Sequence, residues 1–570
     1  MPRFSRGASG SVRRVIRGTL TSRSGPVVTV TGALLVLLAL VAWALASPVG
    51  ATPDEEYHLT SVWCGNGLQE GACEAGTGPT TRTVPTPLLA APCFAFDADV
   101  SATCQGTSLY DDDPATAVTD RGNFVGDYPP VFYFVMHLFV GDDIASSVIA
   151  MRVFNAVFAL ALLAAVYVAS PPGLRRPLIG GLTVTAVPLG MFILPSINPS
   201  SWAILSAGTF LVSVLGYLTA PDRRRRLVLG GLAALALLVG AGARADAAIY
   251  AVLAVVVALV MALPTGRANL RRAVYPVVLA VVAGIAYLTS GQSGAATGTA
   301  VPHSLGRAIR VLIDVPDLWV GALGGWGLGW LDTPMPPLVW VGSFGVFAAA
   351  VFYGASKAST RHGAALVLVA AAVWAVPAYI QYLSGTAVGA FVQPRYILPL
   401  LTILAVTAMV RLDGAAFRLT PVQRWAVVLV LSAANTIALY VNLRRYVTGL
   451  DVDTVNLDAG VEWWWSGPVT PMGVWFVGSL AFGVGLLLLS AEMASVAPAR
   501  VLLVSTPQDD ADPVVGSEAG ASDTGPSDTG PSDTGPSPET SATEPSGSEP
   551  TGAETGTTSR TVGQVRDHRA

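Results

Sequence analysis

The chain has 570 residues, of which 52% are hydrophobic and only 12% charged, which excludes a soluble multidomain protein and fits a polytopic membrane protein. Its formal net charge of −4 is dominated by acids near the C-terminal end and therefore says little about partners. No P-loop, dinucleotide fingerprint or HExxH motif occurs, so ATP-driven transport and zinc proteolysis lack support.

In chain order, a basic segment, 1–26, leads into the first of twelve apolar stretches of roughly 15 to 24 residues. They lie at 27–47, 148–169, 177–195, 202–219, 227–242, 247–263, 273–289, 338–354, 364–382, 396–410, 425–441 and 473–490. The expected fold is an all-α integral membrane protein of about twelve transmembrane helices, with its membrane domain over 27–490. The first run is long for a cleavable signal peptide and Ala44-Leu45-Ala46 is a weak cleavage site, so it reads as a retained span.

Residues 48–147, between the first two stretches, are long enough for a small structured module. The segment opens on Pro53-Asp54-Glu55 with His58 close behind, runs through Asp111-Asp112-Asp113 and reaches Asp127-Tyr128-Pro129-Pro130. The apolar piece Val131 to Val140 is too short to span and predicts a juxtamembrane helix. All four cysteines, Cys64, Cys73, Cys93 and Cys104, fall in this segment. Two disulfides are expected in an oxidising compartment; of the three pairings, Cys64 with Cys73 and Cys93 with Cys104 closes the shortest loops. A zinc site is the rival, but no close CxxC pair is present.

A second long connection, 290–337, carries Gly324-Gly325-Trp326-Gly327-Leu328-Gly329-Trp330-Leu331-Asp332-Thr333-Pro334. Shorter connections hold Asn198-Pro199-Ser200-Ser201-Trp202, Arg244-Ala245-Asp246 and Gln393-Pro394-Arg395-Tyr396, and the last holds Arg444, Arg445 and Trp463-Trp464-Trp465. Beyond about residue 506 the composition turns to Ser, Thr, Pro, Gly and acids, with SDTGP repeated three times, which predicts a disordered tail over 506–570.

Basic residues orient the chain, because Lys and Arg near span ends stay on the cytoplasmic side. With the N-terminus inside, 20 of the 33 Lys and Arg fall in inner segments, nine in outer segments and four in the tail. Both termini are thus expected in the cytoplasm of a bacterial cell, with 48–147 and 290–337 outside.

The ordered set PDEEYH, YPP, NPSSW, RAD, GWLDTP and QPRY, spread over about 30–490, resembles the bacterial domain of unknown function 2142 (DUF2142) family of multi-span membrane proteins. That family is similar to the GT-C glycosyltransferases, which use polyprenyl-phosphate sugars and carry an acidic motif in the first outer loop. Pro394 departs from the pattern, since relatives commonly have a small residue before the Arg-Tyr.

The resemblance implies a membrane glycosyltransferase moving a sugar from a polyprenyl-phosphate donor to an envelope glycan or lipid on the extracytoplasmic side. Its partners would be membrane lipid, donor and acceptor, without nucleic acid and without an assigned cofactor. A carboxylate that takes the acceptor hydroxyl's proton would complete an inverting displacement. Asp54 is the first choice and Glu55 the second; the bland alternative is that both cap a juxtamembrane helix. His58 is a candidate to orient the acid or meet the donor phosphate. Arg395, with Tyr396 beside it, suits a phosphate through its planar fork, or else anchors the span at the headgroups.

Arg244 is a second-rank cation that can pair with Asp246, and Arg152 one that can hold Asp142 or Asp143. Asp332 is a candidate to shape the acceptor site, against a turn-forming Asp, and Trp326 and Trp330 are candidates to stack on sugar, against aromatic-belt residues. Asp111 to Asp113 read as a solvated turn rather than a metal site. The competing function classes are a flippase or transporter of a lipid-linked saccharide and a noncatalytic scaffold.

Overall fold

A computed structural model describes residues 25–110, 114–262, 267–293, 304–412 and 417–494. The N-terminal basic segment up to residue 24, Asp111 to Asp113 and the 506–570 tail lie outside the described residues.

The chain begins with α1 (Pro26–Leu45), opened by a proline whose missing N–H would have no intrahelical partner anyway. The outer module follows, with α2 (Glu55–Trp63), α3 (Thr86–Ala90) and α4 (Val131–His137). Between them a small antiparallel sheet, β1 (Glu74–Ala75), β2 (Arg82–Pro85) and β3 (Thr116–Thr119), pairs in the order β1-β2-β3 with Thr83 opposite Val118. Cys64 is bonded to Cys73, and Cys93 to Cys104. The α4 helix buries Phe132, Tyr133 and Met136 against the module while leaving Phe134 and Leu138 exposed.

The remaining helices are α5 (Ile144–Ala169), α6 (Pro172–Ala186), α7 (Leu189–Ile193), α8 (Ser200–Thr219), α9 (Arg223–Ala241), α10 (Ala245–Ala262) and α11 (Arg267–Leu288). After the second long connection, with α12 (Leu305–Asp314) and α13 (Pro316–Val320), come α14 (Pro337–Ala355), α15 (Thr360–Ser384), α16 (Pro394–Met409), α17 (Pro421–Val447) and α18 (Pro471–Ser490). Every predicted apolar stretch is helical. Among the described residues nine helices are long and apolar enough to cross a membrane.

The differences from twelve have local causes. The stretch 177–195 is broken between α6 and α7 at Pro188, whose missing N–H and ring prevent the helix from continuing. In α9 four arginines occupy the first turn, leaving a short apolar run, and α16 has only 16 residues. The α17 helix runs past its apolar stretch to Val447, so Arg444 and Arg445, expected in a loop, sit in its last turn.

Several polar groups inside the bundle find partners across helices, which a low-dielectric setting favours. Trp43 Nε1 donates to Asn435 Oδ1 at 3.0 Å, Trp202 Nε1 to Asn155 Oδ1 at 3.0 Å, and Thr185 and Thr402 meet at 3.1 Å. The α8 helix is the most enclosed span, with 89% of its apolar window buried. Gly32 of α1 and Gly485 of α18 lie where any Cβ would press on the other's carbonyl, so small residues permit this close helix approach.

The loops sort to two ends. At one, the outer module meets the segments holding Asn198, Asp332 and Arg395, and Gln292 accepts the Ala245 N–H at 2.8 Å. At the other, Thr29 bonds Glu492 at 2.9 Å, Arg176 donates to the Glu492 carbonyl and Tyr353 donates to the Arg418 carbonyl. The segments predicted to lie outside therefore share one end of the bundle.

Candidate active site

The site grows from the turn that ends α1. Asn198, buried at the start of the NPSSW motif, donates to the Pro53 carbonyl at 3.1 Å and pins the turn. Asp54 then takes a left-handed backbone, φ 61° and ψ 22°, which Asp tolerates better than bulkier residues. Its carboxylate makes no capping bond to α2 and instead meets Arg395, Oδ2 to Nη2 at 2.7 Å. The Asp54 side chain stays 40% exposed while that of Arg395 is only 4% exposed.

Arg395 rests in the first turn of α16, where Pro394 fits because that position needs no N–H. It also donates to Tyr396 Oη at 2.9 Å and to Gln393, while its buried Nε has no partner. The Tyr396 ring lies between two guanidinium groups, 4.7 Å from Arg395 and 4.1 Å from Arg244. Arg244 in turn forks onto Asp246, with contacts at 2.9 and 2.8 Å, and faces Tyr128 at 5.7 Å. The result is a buried pair of cations around an aromatic ring, next to a half-open carboxylate.

His58 sits on α2 behind this group, with Nδ1 2.9 Å from Tyr133 Oη and its ring edge-on to Tyr57 and Tyr128. Burial, then Arg395 and Arg244, hold it well below the usual histidine range, so it is neutral in the folded protein. Burial likewise pushes the Tyr128 phenol up to about 12. Neither group is a proton carrier near neutral pH in this setting.

Glu55 departs from its predicted role. It is fully buried, accepts the Thr52 N–H at 2.8 Å and hydroxyl at 3.0 Å, and pairs with Arg152 at 3.0 Å. With both oxygens occupied and no exposed surface, it locks the turn and leaves no face for a substrate. Arg152 correspondingly holds Glu55, not Asp142 or Asp143; Asp143 instead caps α5 through the Ser146 N–H.

Asp332 and Trp330 form a second cluster. Asp332 pairs with Arg445 at 2.9 Å, the two side chains being 4% and 0% exposed, and accepts the Phe96 N–H at 3.0 Å. Trp330 Nε1 donates to the Gly50 carbonyl at 2.9 Å, which ties this corner to the strand of chain leading to Asp54. Sequence reading missed Tyr128, Gln393 and Arg445. Tyr128 carried a signal, since YPP was among the quoted motifs; Arg445 carried none beyond its charge.

The family model described as a predicted membrane protein (DUF2142) matches residues 37–404, more than half of the chain and all six motifs. No curated protein sequence matches. The crystal structure of ArnT from Cupriavidus metallidurans bound to undecaprenyl phosphate aligns with 15% identity, over 81% of this chain and 77% of that one, at a TM-score of 0.38. The family match spans both halves of the site, from Asp54 to Arg395, and the chain belongs to the DUF2142 family of membrane proteins.

Proposed function

We propose that the protein is a membrane glycosyltransferase that moves a sugar from a polyprenyl-phosphate donor to an envelope acceptor on the extracytoplasmic side. The observation that carries this reading is the Asp54–Arg395 pair, a half-exposed carboxylate held by a buried guanidinium at the mouth of a span. The outer placement rests on the arginine asymmetry and on the four cysteines, joined as disulfides, of the same module.

The donor phosphate and the Asp54 carboxylate are alternative anions for one fork. When the phosphate engages Arg395, with Arg244 adding positive potential, Asp54 is released toward the acceptor. Asp54 then takes the acceptor hydroxyl's proton as that oxygen attacks the anomeric carbon. The bond from that carbon to the phosphate oxygen breaks, and polyprenyl phosphate leaves with the electron pair, its charge facing Arg395. One bond forms and one breaks, with inversion at carbon. General-base help of this kind contributes about 10²- to 10⁴-fold.

The test is incorporation of labelled polyprenyl-phosphate sugars into acceptor by the purified protein in liposomes. Transfer that depends on Asp54 is expected. Label that crosses the bilayer without transfer would assign a flippase instead.

A further inference from the structure

Among the described residues three non-glycine positions have a left-handed backbone: Asp54, Phe96 (φ 69°) and Leu331 (φ 64°). All three lie at the outer end. For Phe and Leu this conformation is strained and persists only where surrounding structure imposes it. Here the imposing groups are visible. Arg445 donates to the carbonyls of Phe94, at 2.7 Å, and Val100, gripping the turn from both sides of Phe96. Asp332, paired with that same Arg445, accepts the Phe96 N–H.

The strained turn holds an aromatic ring out, not in. Phe96 is 76% exposed and Leu331 40% exposed, and the Phe96 ring meets Trp330 edge-on at 5.3 Å, with an interplanar angle of 64°. Asp97, Asp99 and Asp451 are exposed nearby, Asp451 next to Gly449 where that glycine approaches the Asp99 carbonyl. Such an acidic rim opposes an anionic lipid surface. An aromatic face for the C–H side of a sugar ring, with exposed carboxylates on the same loop able to accept hydroxyl hydrogen bonds, instead has the two elements that saccharide recognition needs.

We infer that Phe96, braced edge-on by Trp330 and held up by the Asp332–Arg445 pair, is a stacking platform for the neutral sugar rings of a glycan acceptor. This inference rests on the transferase reading for its purpose, but binding at the platform requires no catalysis. The acceptor is thereby narrowed from lipid or glycan to glycan, and Phe96 becomes a specificity-determining residue outside the charged mouth.

The experiment is saturation-transfer NMR on the full chain in nanodiscs, with a panel of unbranched neutral oligosaccharides as probe. Saturation of sugar C–H protons is expected in the wild type. It should fall about 5-fold or more in Phe96→Gly, which keeps the left-handed turn and removes only the ring. Phe96→Trp should retain the signal, and so should Asp54→Asn. Equal signal in Phe96→Gly, or none in the wild type, overturns the platform. Because the native cysteines are in disulfides, a nitroxide on Phe96→Cys reports its surroundings; relaxation by oxygen over a water-soluble nickel complex would assign the ring to lipid and also overturn it. If the platform binds sugars while Asp54→Asn still transfers at full rate, the inference stands and the catalytic reading falls.

Discussion

Of the aspartate–arginine pairs at the outer end of the molecule, two are nearly equal in length and opposite in setting. Asp332 and Arg445, 2.9 Å apart, are both buried, and every oxygen of that carboxylate is bound within the protein. In the Asp54–Arg395 pair, 2.7 Å apart, the guanidinium is buried but the carboxylate is 40% open to solvent. Glu55, one residue from Asp54, belongs with the closed kind through Arg152. Closed pairs shape the backbone around the site; an open pair can exchange its anion for a ligand. What separates framework from chemistry here is the exposure of the acid, and neither residue type nor distance discloses it.

The largest expected effect breaks a closed pair. Asp332→Ala leaves Arg445 buried without its counter-charge and should cost about 3–5 kcal/mol of stability, as should Glu55→Ala through Arg152. Unfolding midpoints in detergent read both. A small shift for either would show that these pairs do not hold the module.

Opening the comparison from the other side, Asp54→Asn keeps an oxygen that can accept from the buried Arg395 guanidinium and removes an acid already 40% open to solvent, so it should lower the unfolding midpoint less than Asp332→Ala while slowing transfer about 100-fold. Arg395→Lys keeps the charge and loses the planar fork. It should weaken donor binding about 10-fold, measured as donor KM, with less effect on stability.

The smallest effect is a pH dependence. His58 is neutral in the folded state and titrates below its ordinary value near 6.5. Between that value and its lowered folded one the unfolded chain binds more protons, so His58 contributes stability that is present above about pH 6.5 and lost as pH falls. The decline in unfolding midpoint over this acid range should flatten in His58→Gln; an unaltered slope would remove His58 from the account.

Much of the fold was legible because apolar runs of membrane length have one structural outcome, and all twelve are helical, 177–195 in two pieces. The mouth residues were legible for a related reason, since Asp54, Arg244 and Arg395 are charges where the chain otherwise avoids them. Their pairing was not. Asp54 and Arg395 are 341 residues apart, Glu55 and Arg152 are 97 apart, and no local pattern says which acid takes which arginine. The run of α17 through Arg444 and Arg445 was hidden because hydropathy ends a span where charge begins, whereas buried carbonyl partners let the helix continue. Phe96 had no signal at all: an aromatic in a polar loop does not disclose that its backbone is left-handed and its ring turned outward.

The proposal that Asp54 is both the base and the phosphate's competitor for Arg395 is decided by single-turnover transfer from a labelled polyprenyl-phosphate sugar in liposomes, comparing wild type with Asp54→Asn per folded molecule. The expected result is a chemical step slowed about 100-fold together with donor binding as tight as wild type or tighter, because the competing carboxylate charge is gone. An Asp54→Asn protein that transfers sugar at the wild-type rate would contradict it.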